Sequence, residues 1–361
     1  MYPLPEGFYA PRNQWYIAAW TSEVQHQPME RWILNEPVAL YRKQDGTPVA
    51  LHGRCPHRHF PLGKSRVVGD AIECGYHGIT FDASGQCIKI QTQSAIPSSG
   101  NIKSYPIVEK WRWLWIWMGD PAAADESLIP DHDELQFSNP DYTFVSDIYY
   151  PVPGRYMLMH DNLLDLSHLG YLHQSTIASG GVCDVPEKRT EGPGWMESER
   201  VVPETDCPPY FSPFFNYNGK VDRTFTLRYL LPCLHAGHDS FAVATSAGAD
   251  AGRPLGTLRV YHAVTPGTMN TAHYFFAFGR NFGQGNVEFD RQMETGIRVT
   301  LDEDMSATRE IESMIAALGH APKELLVRSD AHCVQGRRTI ERMIAAERAS
   351  TPSGRTTEQA L

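Results

Sequence analysis

Four side chains with metal-binding groups occur early in the chain as two mixed pairs. Cys55 and His57 form the first pair, in the sequence CPH, and Cys74 and His77 form the second, in the sequence CGYH, sixteen residues later. Thiolate and imidazole groups both bind transition metals. Glycines are frequent around both pairs, which favours loops whose backbone N–H groups come close to a bound group. The spacing predicts that two thiolates and two imidazoles converge on one centre.

This set of ligands is typical of a Rieske-type [2Fe-2S] cluster. In such a cluster two cysteines bind one iron and two histidines bind the other, and the neutral imidazoles raise the reduction potential relative to an all-cysteine cluster. Tetrahedral zinc also accepts two cysteines and two histidines, but in zinc fingers the cysteines lie on one hairpin and the histidines on one helix. A third interpretation is that the four residues bind no metal. Because each pair here is mixed, the pattern favours the [2Fe-2S] cluster.

A second group of candidate ligands lies in the sequence HDNLLDLSHLGYLH, residues 160–173. Asp165 and His168 are three residues apart and share a face of the predicted helix, and His173 is expected where that helix ends or bulges. Two histidines and one carboxylate form the facial triad of non-haem Fe(II) oxygenases, which leaves open positions for O2. Paired histidines on an apolar helix are also common as structural residues.

The carboxylate predicted to complete the triad is Asp304, on a later helix. Asp302 and Glu303 directly precede it and are the alternatives, because acidic residues are common at helix starts for capping alone. The phase of the predicted helix favours Asp304. The cluster motif supports an iron site, because a one-electron carrier in the same chain gives a mononuclear iron a source of electrons.

The residues around the first group are expected to form a small all-β module. From residue 32 to 52, apolar and polar residues alternate in short runs, with the hairpin signal Asp45-Gly46 between two of them. The tryptophan-rich run 111–118 predicts a strand, and the Ala-, Asp- and Pro-rich stretch 121–141 predicts a domain junction.

Beyond the junction the pattern predicts a mixed α and β domain. Residues 155–172 and 302–318 have apolar residues at helical spacing, and the stretch 180–222 is rich in Gly, Pro, Asp and Glu and predicts long loops. Strands are predicted at 143–152, 224–231, 240–245, 257–262 and 271–278. We therefore expect domains at 1–130 and 131–350, followed by a tail at 351–361.

Composition excludes several classes of function. The 361 residues suggest about two domains, and a net charge of -10 repels a nucleic-acid backbone. The apolar run 111–118 is far shorter than the ~20 residues of a bilayer span, and the N-terminus does not resemble a secretion signal. Seven thinly spread cysteines argue against a disulfide framework. The expectation is a cytoplasmic protein that binds neither nucleic acid nor membrane.

Together these motifs resemble those of the oxygenase components of Rieske non-haem iron oxygenases, especially the vanillate and dicamba O-demethylase-like group. The resemblance covers nearly the whole chain, in the segments RCPHRHFPLGKSRVVGDAIECGYHGITFD, WLWIWMGDP, DNLLDLSHLGYLH and DEDMSATREIE. It implies an α+β fold: an N-terminal all-β Rieske [2Fe-2S] domain, then a C-terminal helix-grip domain with an antiparallel sheet around a long helix. Respiratory Rieske proteins have two further cysteines that bridge the loops; here Arg58, His59 and Gly78 stand near those places and no cysteine does, which implies an oxygenase-type cluster.

The resemblance also implies roles for individual residues. The cluster ligands would be Cys55, His57, Cys74 and His77, and the ligands of a mononuclear Fe(II) would be His168, His173 and Asp304. Asp165 would be the catalytic bridge, since in the family such an aspartate links a cluster histidine of one subunit, here His77, to an iron histidine of the next, here His168. A head-to-tail homotrimer follows from that link. A buried ion pair or a cap is the alternative role for Asp165. Asp161 and Asn162 are expected near the iron.

The function implied is an O2-dependent monooxygenation. Electrons would come from NAD(P)H through a separate reductase or ferredoxin, because this chain has no G-x-G-x-x-G motif after a strand. The favoured reaction is oxidative O- or N-dealkylation, such as demethylation, of a small aromatic compound. The alternatives are a hydroxylase or dioxygenase acting on an aromatic ring or side chain and, from another class, a Rieske electron carrier without oxygenase activity.

The substrate pocket is expected between the sheet at 224–280 and the helix that carries His168. Possible lining residues are His235, His238, His262, Phe275, Phe276, Phe278 and Asn281. Periodicity does not choose among them, because alternate residues of a strand are more often core than ligand-facing.

Overall fold

The computed structural model describes residues 10–131, 135–178, 181–319 and 323–350. These residues form two compact units. The N-terminal unit comprises 10–129, 265–269 and 340–350, and the C-terminal unit comprises the described parts of 130–264 and 270–339. The segment predicted as a tail, 351–361, lies outside the described residues.

The N-terminal unit contains ten described strands in three antiparallel sheets. The strands are β1 (Trp15–Trp20), β2 (Met29–Ile33), β3 (Glu36–Arg42), β4 (Pro48–His52), β5 (Arg66–Val68), β6 (Ala71–Glu73), β7 (Thr80–Phe81), β8 (Cys87–Lys89), β9 (Ile107–Lys110) and β10 (Trp113–Trp117). Their orders are β1-β10-β9, β2-β3-β4 and β5-β6-β7-β8. Short 3₁₀ helices lie at Leu62–Lys64, Ser98–Gly100, Pro121–Ala123 and Glu126–Leu128.

The sequence signals of this unit are confirmed. The turn that contains Asp45 and Gly46 joins β3 to β4, and Gly46 has φ +85°, a conformation that side chains other than glycine rarely adopt. All five residues of Trp113–Trp117 are buried. Cys55 and Cys74 belong to one buried core cluster, which places both cysteines on the inner side of their loops.

The C-terminal unit is built on a seven-stranded antiparallel sheet. Its strands are β11 (Thr143–Val152), β12 (Lys188–Gly192), β13 (Trp195–Asp206), β14 (Lys220–Leu230), β15 (Leu234–Val243), β16 (Pro254–Pro266) and β17 (Ala272–Arg280). Their order in the sheet is β11-β17-β16-β15-β14-β13-β12. Strand β16 runs on beyond this unit at its last two residues.

Four of the five described α-helices belong to this unit, and the fifth begins in it and continues into the N-terminal unit from residue 340. They are α1 (Tyr156–Leu164), α2 (Leu169–Leu172), α3 (Ser212–Phe215), α4 (Val287–Leu318) and α5 (Ala331–Ser350), and 3₁₀ helices lie at Leu166–His168, Gly248–Asp250 and Arg328–Asp330. None of the described helices is both long and apolar enough to cross a membrane.

Three secondary-structure predictions are corrected. The helix predicted at 155–172 is interrupted at Asp165, whose extended backbone ends α1. The helix predicted at 302–318 begins 15 residues earlier, at Val287. The stretch 180–222, predicted as loops, contains β12 and β13.

Candidate functional site

The two loops that carry the Cys/His pairs have the same backbone hydrogen bonds. The N–H of Cys55 donates to the Phe60 carbonyl at 3.0 Å, and the N–H of Cys74 donates to the Ile79 carbonyl at 2.8 Å. Each cysteine carbonyl also accepts from the N–H four residues later, at 3.0 Å in the first loop and 2.9 Å in the second. The repeated pattern gives both pairs the same local geometry.

The cysteines face inward and the histidines face outward. Cys55 and Cys74 are 1% and 3% exposed, whereas His57 and His77 are both exposed, with ring centroids 4.6 Å apart. Burial raises the pKa of the Cys55 thiol to about 11, and the neighbouring Cys74 thiol acts in the same direction. Backbone N–H groups of His57 and Arg58 oppose this shift by pointing at the Cys55 sulfur.

These donors fit a [2Fe-2S] cluster of the Rieske type. Two thiols in contact on the buried side match the iron bound by two cysteines, and two adjacent imidazoles on the exposed side match the iron bound by two histidines. Thiolates in a buried site need N–H donors or a metal to offset their charge, and the N–H groups beside Cys55 are such donors. A zinc finger would place the like ligands on one element each.

The second group is assembled where α1 ends. The Asp165 side chain accepts from the N–H of Ser167 at 2.8 Å and so caps the 3₁₀ helix Leu166–His168. The chain turns at this break before the short helix α2. His173 directly follows α2 and is its C-terminal cap residue. The four residues between the two histidines therefore allow both rings to face one point, with a geometry that differs from the continuous helix predicted.

His168, His173 and Asp304 come together at this point. One ligand atom from each lies within 4.8 Å of the others. The Nε2 atoms of His168 and His173 are 3.8 Å and 3.1 Å from the same Asp304 carboxylate oxygen. The carboxylate comes from the middle of α4, so two segments far apart in sequence contribute.

Each of the three side chains is held by a hydrogen bond, and in the two histidines this bond is made by the nitrogen that points away from the centre. The Nδ1 atom of His168 is 2.5 Å from the Asp165 carbonyl, and that of His173 is 2.7 Å from the Glu303 carboxylate. Both acceptors need a proton on Nδ1, so a metal at the centre would be bound by the Nε2 electron pair of each ring. The Asn162 amide donates to Asp304 at 2.9 Å. This arrangement presents two imidazole nitrogens and a carboxylate to one point.

The charges around His173 favour a cation. Burial lowers the pKa of His168. Burial acts in the same direction on His173, but hydrogen bonds and charges from Asp304 and Glu303 outweigh it and raise the pKa of His173. Two carboxylates in a largely buried site need a positive charge. A divalent metal satisfies this need and binds the neutral imidazoles, so the residues fit the facial triad.

Asn162 and Asp161 are adjacent on α1 but have different surroundings. Asn162 lies beside the centre, as predicted. Asp161, also expected near the iron, instead forms an ion pair with Arg337 of α5 at 2.5 Å, because successive residues of a helix point about 100° apart. The Asp165 carboxylate caps Ser167 and lies 3.4 Å from the Ser329 hydroxyl.

A cavity of about 150 Å³ lies at the triad and is lined by residues of the sheet and of α4. Of the candidate lining residues, His238, His262 and Phe276 border it. His235 instead bonds the buried His160 at 2.7 Å, and Asn281 accepts from the backbone of Thr257. Most of the lining is apolar and includes Leu163, Leu166, Leu169, Ile177, Phe211, Phe225, Leu227, Leu258, Val260, Ile297 and Leu301.

The sequence analysis missed an ion pair in the cavity wall. Arg223 donates to both carboxylate oxygens of Asp239, at 2.9 Å and 2.6 Å, and to the Ile177 carbonyl. The guanidinium also lies 4.2 Å from the centre of the Phe225 ring. Alternation on β14 could have placed Arg223 on the buried face, because Val221 and Phe225 share its phase.

Comparison with known proteins identifies the family. Residues 14–106 match the Rieske [2Fe-2S] domain, and residues 152–346 match the vanillate O-demethylase oxygenase C-terminal domain. The chain belongs to the vanillate O-demethylase-like Rieske oxygenases. It is 35% identical to the iron-sulfur subunit of the toluene-4-sulfonate monooxygenase system of Comamonas testosteroni, over 94% of this chain and 99% of that protein.

Two further similarities concern dicamba-degrading enzymes. The dicamba O-demethylase oxygenase component of Stenotrophomonas maltophilia is 32% identical over 94% of this chain and 99% of that protein. The crystal structure of dicamba monooxygenase bound to 3,6-dichlorosalicylic acid has a TM-score of 0.83 and 32% identity, covering 94% of this chain and 98% of that one.

The predicted fold class and enzyme class are confirmed by these findings. The protein is an oxygenase component of a Rieske non-haem iron monooxygenase, with an all-β Rieske domain and an α+β catalytic domain. Its cofactors are a [2Fe-2S] cluster and a mononuclear non-haem iron. As an oxygenase component it takes electrons from a separate reductase or ferredoxin.

Proposed function

We propose that Cys55, His57, Cys74 and His77 bind the [2Fe-2S] cluster and that His168, His173 and Asp304 bind the catalytic Fe(II). When bound, the cluster supplies single electrons and the ferrous ion activates O2. The observation that carries the proposal is the convergence of two Nε2 atoms and one carboxylate in the lining of a largely apolar cavity. The domains that hold these groups would be 1–130 and 131–350.

The binding proposal is tested by metal analysis. Fully loaded protein is expected to contain about three irons and two labile sulfides per protomer, because the cluster has two irons and the triad holds one. Cys55→Ser is expected to lose two irons and the sulfide, and His168→Ala is expected to lose one iron only. Loss of the cluster in His168→Ala, with native secondary structure, would contradict the separate assignments.

The reaction we propose is oxidative O- or N-dealkylation of a small aromatic compound. A methyl ether would react as ROCH3 + O2 + NADH + H⁺ → ROH + HCHO + NAD⁺ + H2O. The chain's own part is to bind the ring against the apolar walls, which exclude water, and to keep the alkyl carbon beside the triad. Relatives named for O-demethylation and for chloroacetanilide N-dealkylation support this reaction class.

Formaldehyde detection distinguishes the reaction from its alternative. The holoenzyme with its reductase is offered a panel of methoxybenzoates, N-alkyl anilides and methylbenzenesulfonates, and products are measured together with NADH and O2 consumption. Dealkylation predicts one aldehyde per O2 consumed. Hydroxylated ring or methyl products without aldehyde would support the hydroxylase alternative instead, which the relative named for toluene-4-sulfonate also makes worth testing.

We also propose that the enzyme works as a head-to-tail homotrimer in the cytoplasm, where NAD(P)H is available. In this assembly Asp165 of one subunit would contact His77 of the next. The exposed position of the His77 ring supports this contact, and so does the partial exposure of Asp165 beside His168.

A mixed-subunit experiment tests transfer between subunits. Cys55→Ser subunits lack a cluster and His168→Ala subunits lack the catalytic iron, so each homotrimer is expected to be inactive. Co-expressed mixtures are expected to regain activity if a cluster in one subunit serves the iron in another. Mixed trimers without activity, verified by two affinity tags, would overturn the proposal.

A further inference from the structure

The two histidines of the triad differ in what holds their outer nitrogen. The Nδ1 of His168 faces a neutral backbone carbonyl, that of Asp165, at 2.5 Å. The Nδ1 of His173 faces a full negative charge, the Glu303 carboxylate, at 2.7 Å. The partner of His173 is therefore the stronger hydrogen-bond acceptor, because charged acceptors bind more strongly than neutral ones.

The Glu303 carboxylate is itself held in place. Its Oε2 atom accepts from the Thr176 hydroxyl at 3.1 Å, and its Oε1 atom lies 3.4 Å from the Ser175 hydroxyl. Both hydroxyls come from the turn that directly follows His173. The same carboxylate therefore joins α4 to the segment that carries the histidine, and it has little freedom to turn toward the triad centre.

Glu303 and Asp304 contact opposite nitrogens of one imidazole. Asp304 lies 3.1 Å from Nε2, whereas Glu303 lies 2.7 Å from Nδ1. Neighbouring residues on a helix point about 100° apart, so this division follows from their positions on α4. It also separates their roles, because only the residue on the Nε2 side faces the space where both histidines converge.

We propose that Glu303 is a positioning residue for the catalytic iron: it fixes the tautomer and orientation of His173 and makes this imidazole the stronger of the two nitrogen donors. The inference rests on the proposed iron site of His168, His173 and Asp304. A carboxylate behind a metal-binding histidine raises the basicity of the ligand and locks its ring. With Asp304 it also supplies two negative charges, which balance those of a ferrous ion.

The role is tested on the holoenzyme by two variants and a control. Glu303→Ala removes the acceptor, and Glu303→Gln keeps an acceptor oxygen but removes the charge. Asp302→Asn changes the preceding acid, whose residue is exposed, and serves as the matched control. The measurements are Fe(II) affinity by competition with a chelator and the EPR spectrum of the nitric oxide adduct, with cluster absorbance as a check of folding.

Glu303→Ala is expected to weaken Fe(II) binding by about 10–100-fold. Glu303→Gln is expected to weaken binding less but to change the rhombicity of the EPR spectrum, and Asp302→Asn is expected to match the wild type. Wild-type affinity and spectrum in Glu303→Ala would overturn the proposal. Complete loss of the mononuclear iron in Glu303→Gln, with the cluster intact, would also overturn it, because Glu303 would then be a ligand.

Failure of the iron site itself gives a different result. If His168→Ala and His173→Ala both kept the mononuclear iron, the proposed site would be wrong whatever the Glu303 variants did. If both lost it while Glu303→Ala behaved as the wild type, only the positioning role would fail.

Discussion

The His173 imidazole lies between two carboxylates of α4, with Asp304 at its Nε2 atom and Glu303 at its Nδ1 atom. The candidate ligands were recognised from residue type and spacing, and the structure brings His168, His173 and Asp304 within 4.8 Å. The partner of His173 was not recognised, because Glu303 is adjacent to Asp304 in sequence and only the rotation of α4 decides which nitrogen each carboxylate meets. The burial of Arg223 was not predicted for a related reason. Its charge is balanced by Asp239, which lies on the neighbouring strand β15 and is distant in sequence.

The proposed bridging role of Asp165 can be tested with a substitution that replaces one oxygen of its carboxylate. Asp165→Asn keeps an oxygen that can cap Ser167, and it leaves the carbonyl that holds His168 unchanged. The expected result is full content of both metals with turnover lowered by about 10–100-fold, the range typical of groups just outside a metal site. The measurement is steady-state O2 consumption together with iron analysis.

The control for this variant is Asp184→Asn, because Asp184 is an exposed acid of the same unit. The proposed bridge would be refuted if Asp165→Asn kept wild-type turnover. In that case the carboxylate would serve only as the cap that is visible in the structure.

At the scale of elements, the errors of prediction have specific physical causes. Strand β13 was not predicted because the alternate residues that it buries include Ser198 and Arg200 as well as Met196 and Val202. The alternation of apolar and polar residues in the sequence is therefore interrupted. The first half of α4 was hidden because it contains Gly296, where a Cβ would collide with the ring of Tyr210. Such a glycine weakens a helical pattern in sequence although tertiary packing requires it.

Helix α5 was also missed, and one ion pair shows what it does. Arg337 donates two hydrogen bonds to one Asp161 oxygen and a third to the other, and it also contacts Glu324. Asp161 belongs to α1, the helix that leads to Asp165. The N-terminal part of α5 therefore stabilises α1, the helix that precedes His168 in the chain.

Arg337→Met is expected to destabilise the protein by about 3 kcal/mol, because it leaves the half-buried Asp161 carboxylate without its partner. Urea unfolding followed by tryptophan fluorescence measures the effect. The double variant Arg337→Met, Asp161→Asn is expected to recover part of the loss, since the uncompensated charge is then removed. An unchanged unfolding midpoint in the single variant would mean that the ion pair contributes nothing to stability.

For the whole molecule, buried neutral histidines make stability depend on pH. Burial lowers the pKa of His160 to about 3 and those of His262 and His332 to about 4, and it lowers that of His235 well below the usual value. The unfolded chain binds protons at these residues near pH 6.5, whereas the folded chain does not. The contribution of these four histidines to stability is therefore fully present above pH 6.5 and is lost as the pH falls below it.

His332 allows the contribution of one buried histidine to the pH dependence of stability to be measured. Neither of its ring nitrogens has a hydrogen-bond partner among the described residues, and Glu187 is its nearest acid, at 3.7 Å. His332→Leu is expected to reduce the loss of unfolding free energy between pH 6 and 5 by up to ~1.4 kcal/mol. The measurement is urea unfolding at both pH values, with the exposed His26→Leu as control. Equal slopes in wild type and His332→Leu would contradict the assignment.

None of the seven cysteines, all of which lie in the described chain, forms a disulfide bond, and Cys55 and Cys74 stand on the two matching loops. No disulfide therefore joins one loop to the other, and the proposed inorganic core would be the covalent link between them. Oxidative loss of that core should make Tyr76 and its exposed neighbours vulnerable to chymotrypsin before the rest of the protein is cut. In an aerobic cell, the cleaved fragment would therefore mark enzyme molecules that have lost their sulfide.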